Sequence, residues 1–421
     1  MRALFVHNNF PAQFRDLAPA LAAEPGNDVV FATQEPLRTL PGVRKVAWQT
    51  ARRGKQIHPY LRVLGDAVAE GQGALRMAAA LRRDGFVPDV VIGHSGFGPT
   101  LFLREAFPEA KFIGYFDWYH KARGTNGDFF PDRPINIDGA CRYHLMNAPS
   151  WLDLLQCDHG IVTTEWQLEQ FPDAFRGKLS LLHDGIDTEH FRPQAGQRFA
   201  IPGLDLSGVH ELVTYATRGL EPYRGFPQFL AAVQILLRER PRTHVVIAGD
   251  ERHFYSWSPP GGTTWKQHVL AKLDLDERRV HFTGQLEPPH MLKLLQASDV
   301  HVYLTAPFIP SWSLFEAMAT GCLVVASATP PVREVMTDGE TGLLVNFFDH
   351  EALAARVAWA LDHRDDCQPL RRAARQTVVE RVDLRRILPR QRKLIDDVLA
   401  GRPPNEVEAS VAGRSERGPG A

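Results

Sequence analysis

Two stretches in the second half of the chain gather residue types that can handle a diphosphate. In Phe308 to Val325, FIPSWSLFEAMATGCLVV, a loop opens into a short helix carrying one carboxylate, Glu316. The helix ends at Gly321 and a β-branched strand follows. A helix N-terminus offers unsatisfied N–H groups and partial positive charge, a natural seat for phosphate. A carboxylate one turn further in can accept hydrogen bonds from vicinal ribose hydroxyls. Upstream, in VTYATRGLEPYRGFPQF (213–229), a β-like run ends at Thr217, and Arg218 and Arg224 flank a loop containing Gly219, Pro222 and Gly225. Two guanidiniums rooted in one tight loop can converge on a pyrophosphate, since each offers forked donors matched to phosphate oxygens. Taken singly, each stretch also reads as plain architecture: a loop–helix–strand unit, and two solvated arginines in a turn. Together they predict a nucleotide diphosphate pocket in which fixed cations stabilise charge developing on a leaving group.

The elements that must position these residues alternate between apolar strand-like runs and helical stretches, which predicts parallel α/β construction. Strands are expected near 2–6, 28–32, 89–93, 111–116 and 159–163, with helices near 11–23, 61–84 and 99–107. Gly71 and Gly73 loosen the helical spacing of 61–84. The second half reads as strands near 211–216, 243–248, 279–283, 299–304, 322–327 and 342–345, again separated by helices. The boundary is expected between Pro193 and Gly208, in RPQAGQRFAIPGLDLSG, rich in Pro, Gly and polar residues.

The ordered set LLHDGIDTEHFRP (181–193), ATRGLEPYRGF (216–226), VVIAGD (245–250), VHFTGQL (280–286), FEAMATGCLVVAS (315–327) and EVMTDGETGLLV (334–345) resembles the retaining glycosyltransferases of family 4. The N-terminal half, with HNNFPAQFRDLAPAL (7–21), HPYLR (58–62), the run 85–120 and TEWQLEQFP (164–172), looks like a less common branch of that family. The resemblance implies the GT-B fold, two Rossmann-like α/β domains facing across a cleft. It implies an N-terminal acceptor-side domain over 1–198 and a nucleotide-sugar-binding domain over 199–385. A helix over 386–400 would cross back to the first domain. The tail 401–421 is expected to be disordered.

Carried over by position, the resemblance makes Arg218 and Arg224 the diphosphate clamp, the second being usually lysine in the family. Glu316 matches the second glutamate of the family's Glu-x7-Glu motif, the ribose ligand. The first would fall at Phe308 and is absent, which puts donor-sugar selectivity in question; Ser311 and Ser313 lie in the same loop and could supply hydroxyl contacts. Backbone N–H groups near Ser313 and Leu314 would join the clamp. Gly284 would pass close to the base and Asp250 orient its loop, and both also read as structural. In GYFDWYH, Asp117 stands where many relatives have a histidine, with His120 three residues on. Asp117 reads equally as a group that bonds a sugar hydroxyl or deprotonates an acceptor, and as a loop cap or the partner of an arginine. His94, in GHSGFG after PDVVI, falls at a strand C-terminal end, where open α/β sheets bind ligands, or is a structural hydrogen-bonder.

The implied activity is transfer of a sugar from a UDP- or GDP-linked donor to a glycan, lipid-linked or small-molecule hydroxyl, as in polysaccharide or glycoconjugate biosynthesis. No tightly bound cofactor and no metal are implied. Two other readings use the same fold: a nucleotide-sugar 2-epimerase, which gives product without acceptor, and a non-catalytic glycan- or nucleotide-binding module. Retention of Arg218, Arg224 and Glu316 weighs against the last.

Composition fits an enzyme with two sizeable cores. The chain has 421 residues, 44% hydrophobic and 23% charged, with net charge −1. That balance argues against wholesale nucleic-acid binding. Four cysteines without CxxC spacing suggest neither a zinc site nor a disulfide framework and fit a cytoplasmic setting. No apolar run is long enough to span a bilayer, and MRALFVHNNF reads as a first strand rather than a leader. The stretch 44–62, with Arg44, Lys45, Arg52, Arg53, Lys55 and Arg62 around Trp48 and Tyr60, reads as a solvated loop or as a peripheral contact with an anionic inner membrane face. The loop 121–139 reads as an acceptor-side lid.

Overall fold

The computed structural model describes residues 1–35, 37–52 and 57–404, and the chain divides into two compact units. The first unit holds Met1–His120, Ile137–His183 and the chain from Leu388 onward; the second holds Lys121–Asn136 and Asp184–Ile387.

In the first unit seven strands form one parallel sheet: β1 (Arg2–Val6), β2 (Asp28–Thr33), β3 (Arg44–Ala47), β4 (Val90–Ser95), β5 (Lys111–Phe116), β6 (His159–Val162) and β7 (Leu179–Leu181). Their order is β3-β2-β1-β4-β5-β6-β7. The central strands are continuous apolar runs because helices cover both faces of such a sheet, so no alternation survives. Chain order reverses between β1 and β4, which makes the C-terminal ends of those two strands the switch point where ligands bind. Beside the sheet runs helix Arg62–Arg83. Its Gly71 and Gly73 are close-approach positions: a Cβ would stand 2.7 Å from the Gly98 carbonyl oxygen and 2.2 Å from that of Gln49. The helix expected over 99–107 is shorter, Leu103–Ala106. Gly96 and Gly98 upstream take φ of +85° and +109°, so the chain turns before it can coil.

The second unit opens with a small antiparallel hairpin, β8 (Ala200–Ile201) and β9 (Leu204–Asp205). It continues into a six-stranded parallel sheet: β10 (Glu211–Gly219), β11 (Thr243–Asp250), β12 (Val280–Gly284), β13 (Val300–Tyr303), β14 (Val324–Ser327) and β15 (Leu343–Val345). The order is β12-β11-β10-β13-β14-β15, with the reversal between β10 and β13. The Pro- and Gly-rich stretch 193–208 lies inside this unit, where Phe199 and Leu206 are buried with Leu212, Ala216 and Val246. Helix Leu384–Leu399 spans the division between Ile387 and Leu388.

The start of the basic stretch 44–62 is built into the first unit, while Arg52 and Arg62 are exposed. Arg44 and Lys45 belong to edge strand β3 and lie over the rings of Phe86 and Phe10 at 5.1 and 4.8 Å. Trp48 is buried, with its Nε1 3.4 Å from the Glu70 carboxylate. Arg53 and Lys55 lie outside the described residues, as does most of the tail, 405–421. The loop expected as a lid is divided: Ile137 starts helix Ile137–Met146 of the first unit, while 121–136 packs on the second unit through Phe129 and Phe130. Among the described residues no helix is long and apolar enough to cross a membrane.

Candidate active site

The second sheet's switch point carries the two arginines. Strand β10 ends through Arg218, and the turn Pro222–Arg224 delivers Arg224 just before Gly225, whose φ of +69° starts helix Phe226–Glu239. Arg218 is exposed, with its guanidinium 4.2 Å above the ring of Phe254. Arg224 is only 7% exposed. Its Nη1 donates to Thr305 Oγ1 at 2.9 Å and to the Ile309 carbonyl at 3.4 Å, both past the end of β13, and it lies 5.1 Å from the centre of the Tyr255 ring. Burial works against its charge, but neighbouring Tyr303, Tyr255, Glu221 and Tyr215 outweigh this and hold its pKa above the ordinary arginine value. The two cations therefore come from one loop and share one aromatic wall.

That wall is fixed by a residue sequence reasoning passed over. Glu221 is fully buried, and its Oε2 accepts the backbone N–H groups of Phe254, Tyr255 and Ser256 at 3.0, 2.9 and 2.8 Å. Its position between the two arginines was the available signal. A buried carboxylate must be satisfied by something other than water, here by those three N–H groups.

Helix Trp312–Ala319 begins at Ser311, with no side-chain hydrogen bond capping its N-terminus. Ser311 donates its N–H to the Tyr303 hydroxyl at 2.8 Å, and its Oγ stands 2.7 Å from Ser313 Oγ. The Leu314 N–H closes on the Ser311 carbonyl at 3.0 Å and its side chain is fully buried, so Leu314 serves the helix and the core. Glu316 is half-buried and shares a face with Ser313, three residues earlier. Phe308, where the first glutamate of the motif would fall, has its ring 5.4 Å from that of Tyr255. Gly284 closes β12 with φ of +67° and open space around its Cα. Asp250 accepts from the N–H and guanidinium of Arg252, holding the turn after β11. The structure thus gathers Arg218, Arg224, Ser311 and Ser313 around the ends of β10 and β13.

His94 and Asp117 come together in the first unit. His94 Nε2 lies 2.7 Å from Asp117 Oδ2, and a carboxylate only accepts, so Nε2 carries the proton. Gln13 Nε2 donates to both Asp117 oxygens at 3.1 Å. The His94 ring is stacked between His7, at 4.1 Å, and Phe97, at 4.4 Å. His7 follows β1 and His94 lies in β4, so this cluster occupies the switch point of the first sheet. With two donor groups already on it, the carboxylate keeps room for another, such as a hydroxyl. Behind it, buried Asp153 accepts from the Gly96 N–H at 2.7 Å and Thr100 Oγ1 at 2.8 Å, and burial pushes its pKa up to about 6. His120 is clamped through its backbone, which exchanges two hydrogen bonds with the Asn147 side chain; burial pushes its pKa down to about 4. His7, Gln13 and Asp153 were not singled out from sequence, although His7 and Gln13 fall in the quoted run 7–21.

Two α/β units, each with a parallel sheet that reverses order at a switch point, match the GT-B fold. The profile described as Glycosyl transferase family 4 group matches residues 25–191, and that described as Glycosyl transferases group 1 matches 209–377. The chain belongs to the family 4 glycosyltransferases. It is 27% identical over 226 residues to the D-inositol 3-phosphate glycosyltransferase of Streptomyces avermitilis, a match spanning 48% of this chain and 46% of that relative. To the glycogen synthase of Mycobacterium tuberculosis it is 26% identical over 386 residues, 87% of this chain and 86% of the other. In fold it is similar to the sucrose-phosphate synthase of Thermosynechococcus elongatus, with a TM-score of 0.70 at 20% identity over 95% of this chain and 100% of that one. It is similar too to the Anabaena protein HepE in complex with UDP-glucose, with a TM-score of 0.69 at 14% identity over 94% and 100%.

Proposed function

We propose that the chain is a retaining hexosyltransferase that moves a sugar from a UDP- or GDP-linked donor to a hydroxyl acceptor in polysaccharide or glycoconjugate synthesis. The observation that carries this reading is Arg224: a buried cation anchored to Thr305 and Ile309 at the end of β13, beside an exposed partner, Arg218. Burying an arginine without a carboxylate bonded to it is costly, and an anionic ligand offsets that cost. In this account Arg218, Arg224 and the helix start at Ser313 hold the diphosphate, and Glu316 accepts from the ribose hydroxyls. The sugar C1–O bond to the diphosphate breaks while the acceptor oxygen bonds C1 from the same face. The departing phosphate oxygen takes the acceptor proton, and the arginines stabilise the charge that accumulates there. Asp117, oriented by His94 and Gln13, bonds a sugar hydroxyl through its remaining lone pair. The names of the relatives pair the chain with an inositol phosphate and with a growing glucan, which supports a hydroxyl acceptor of either size.

The test is a transfer assay with UDP- and GDP-sugars, each with and without acceptor, followed by NMR of the product's anomeric carbon. Acceptor-dependent release of nucleoside diphosphate with retained configuration is expected. Product formed without acceptor would instead point to epimerisation.

A further inference from the structure

We propose that residues 121–136 are a positioning element for the diphosphate clamp, holding Arg224 through its neighbour Tyr223; this inference rests on the clamp reading above. The segment is inserted in sequence between β5 and helix Ile137–Met146, yet it belongs to the second unit. It is preorganised by its own bonds. The Asp128 carboxylate accepts the Gly124 N–H at 2.9 and 3.1 Å, and Thr125 Oγ1 donates to the Lys121 carbonyl at 2.9 Å. At Gly127 any side chain would stand 2.8 Å from the carbonyl oxygens of Lys121 and Ala122, so the turn is closed tightly.

From this turn two side chains reach the clamp loop. Asn126, 6% exposed, donates from Nδ2 to the Tyr223 hydroxyl at 3.2 Å, and that hydroxyl donates to the Asn126 carbonyl at 3.3 Å. The Phe130 ring lies 5.5 Å from that of Tyr223 and meets Trp257 edge-on at 5.1 Å. Tyr223 is held by its backbone as well: its N–H donates to Ser256 Oγ at 3.0 Å and its carbonyl accepts the Ala306 N–H at 2.8 Å. Tyr223 therefore ties together the inserted turn, the clamp loop, the aromatic wall and the end of β13. The next residue is Arg224, so freeing the Tyr223 ring loosens the backbone that aims the guanidinium. A clamp works only while its donors stay within a few tenths of an ångström of the phosphate oxygens.

Asn126→Ala suits the test because Asn126 Oδ1 is buried with no hydrogen-bond partner among the described residues. Losing that unsatisfied acceptor offsets losing the Nδ2 bond, so the fold should hold. The measurement is calorimetric titration of UDP, GDP, ADP and TDP into wild type, Asn126→Ala, Tyr223→Phe and, as reference, Arg224→Ala. Each protein's melting temperature is read without nucleotide. Asn126→Ala should bind the preferred diphosphate roughly three- to ten-fold more weakly at an unchanged melting temperature, the effect of one lost hydrogen bond. Tyr223→Phe, which loses both bonds to Asn126, should bind at least as weakly and with a lower melting temperature. Phe130→Met, which stays apolar and nearer in size, replaces Asn126→Ala if that variant melts early. Wild-type affinity in these variants, with binding lost in Arg224→Ala, overturns the inference alone. A wild-type protein that binds none of the four overturns the clamp reading and this inference with it.

Discussion

Glu221 Oε2 accepts the Tyr255 N–H at 2.9 Å, so the ring that faces Arg224 is set by a carboxylate from the same turn as the arginine. One buried side chain thereby fixes both the aromatic wall and its distance from the cations. Replacing Glu221 by Ala strands the N–H groups of Phe254, Tyr255 and Ser256. With about 1–3 kcal/mol for each buried donor left unpaired, and partial rescue by water, a loss of about 3 kcal/mol is expected. Glu221→Gln keeps an acceptor oxygen and should cost less than half as much. Urea denaturation of the three proteins checks the order.

Arg224→Lys tests whether the fork matters beyond the charge. A guanidinium can satisfy Thr305 and Ile309 with Nη1 and keep its other nitrogens for a ligand, whereas a single ammonium must choose. Losing one charge-assisted hydrogen bond, worth about 1.5–3 kcal/mol, should weaken donor binding roughly ten- to hundred-fold. Donor KM and diphosphate affinity, compared with wild type, give the answer.

Asp117→Asn should separate chemistry from donor binding. The amide turns a donor toward either Gln13 or His94, so the cluster loses one of its bonds. On the proposed role the variant loses a charge-assisted bond to the sugar hydroxyl, worth about 1.5–3 kcal/mol, so kcat falls roughly ten- to hundred-fold while diphosphate affinity stays at the wild-type value. Steady-state kinetics together with a binding titration read both.

Two sets of buried groups act with opposite sign as pH falls. Asp153 has its pKa raised to about 6, so its neutral form is favoured in the fold; that stability is complete below about 4 and is lost as pH rises through 6. His120, His159 and His301 are pushed down to about 4 by burial, so their contribution is complete above 6.5 and is lost as pH falls toward 4. Asp153→Asn keeps an acceptor for Gly96 and Thr100 and removes only the first term. The variant should therefore gain about 3 kcal/mol on wild type between pH 4 and pH 7, from a shift of about two units. Urea midpoints across that range measure it.

Much of the fold was legible because parallel strands buried on both faces read as unbroken apolar runs: RALFV, VVIGHS and KFIGYF became β1, β4 and β5. Strand β3, RKVA, was hidden because it is a charged edge strand whose cations cover Phe86 and Phe10. The strand ends also located Arg218 and Arg224, since loops after β-runs are where a parallel sheet binds ligands. Glu221 was marked only by its place between the two arginines; its role was hidden because it depends on three N–H groups more than thirty residues downstream. Nor was the role of 121–136, a polar, Gly-rich stretch whose Phe129 and Phe130 reveal their partners only once the second unit is folded.

The central claim is that Arg218 and Arg224 clamp a nucleoside diphosphate, and a thermal-shift panel of UDP, GDP, ADP and TDP on wild type and Arg218→Ala tests it most directly. Arg218 is exposed, so its removal should leave the ligand-free melting temperature where it is. The account predicts a clear upward shift of wild type with one diphosphate, abolished in Arg218→Ala. An equal shift in both proteins, or none with any diphosphate, would contradict it.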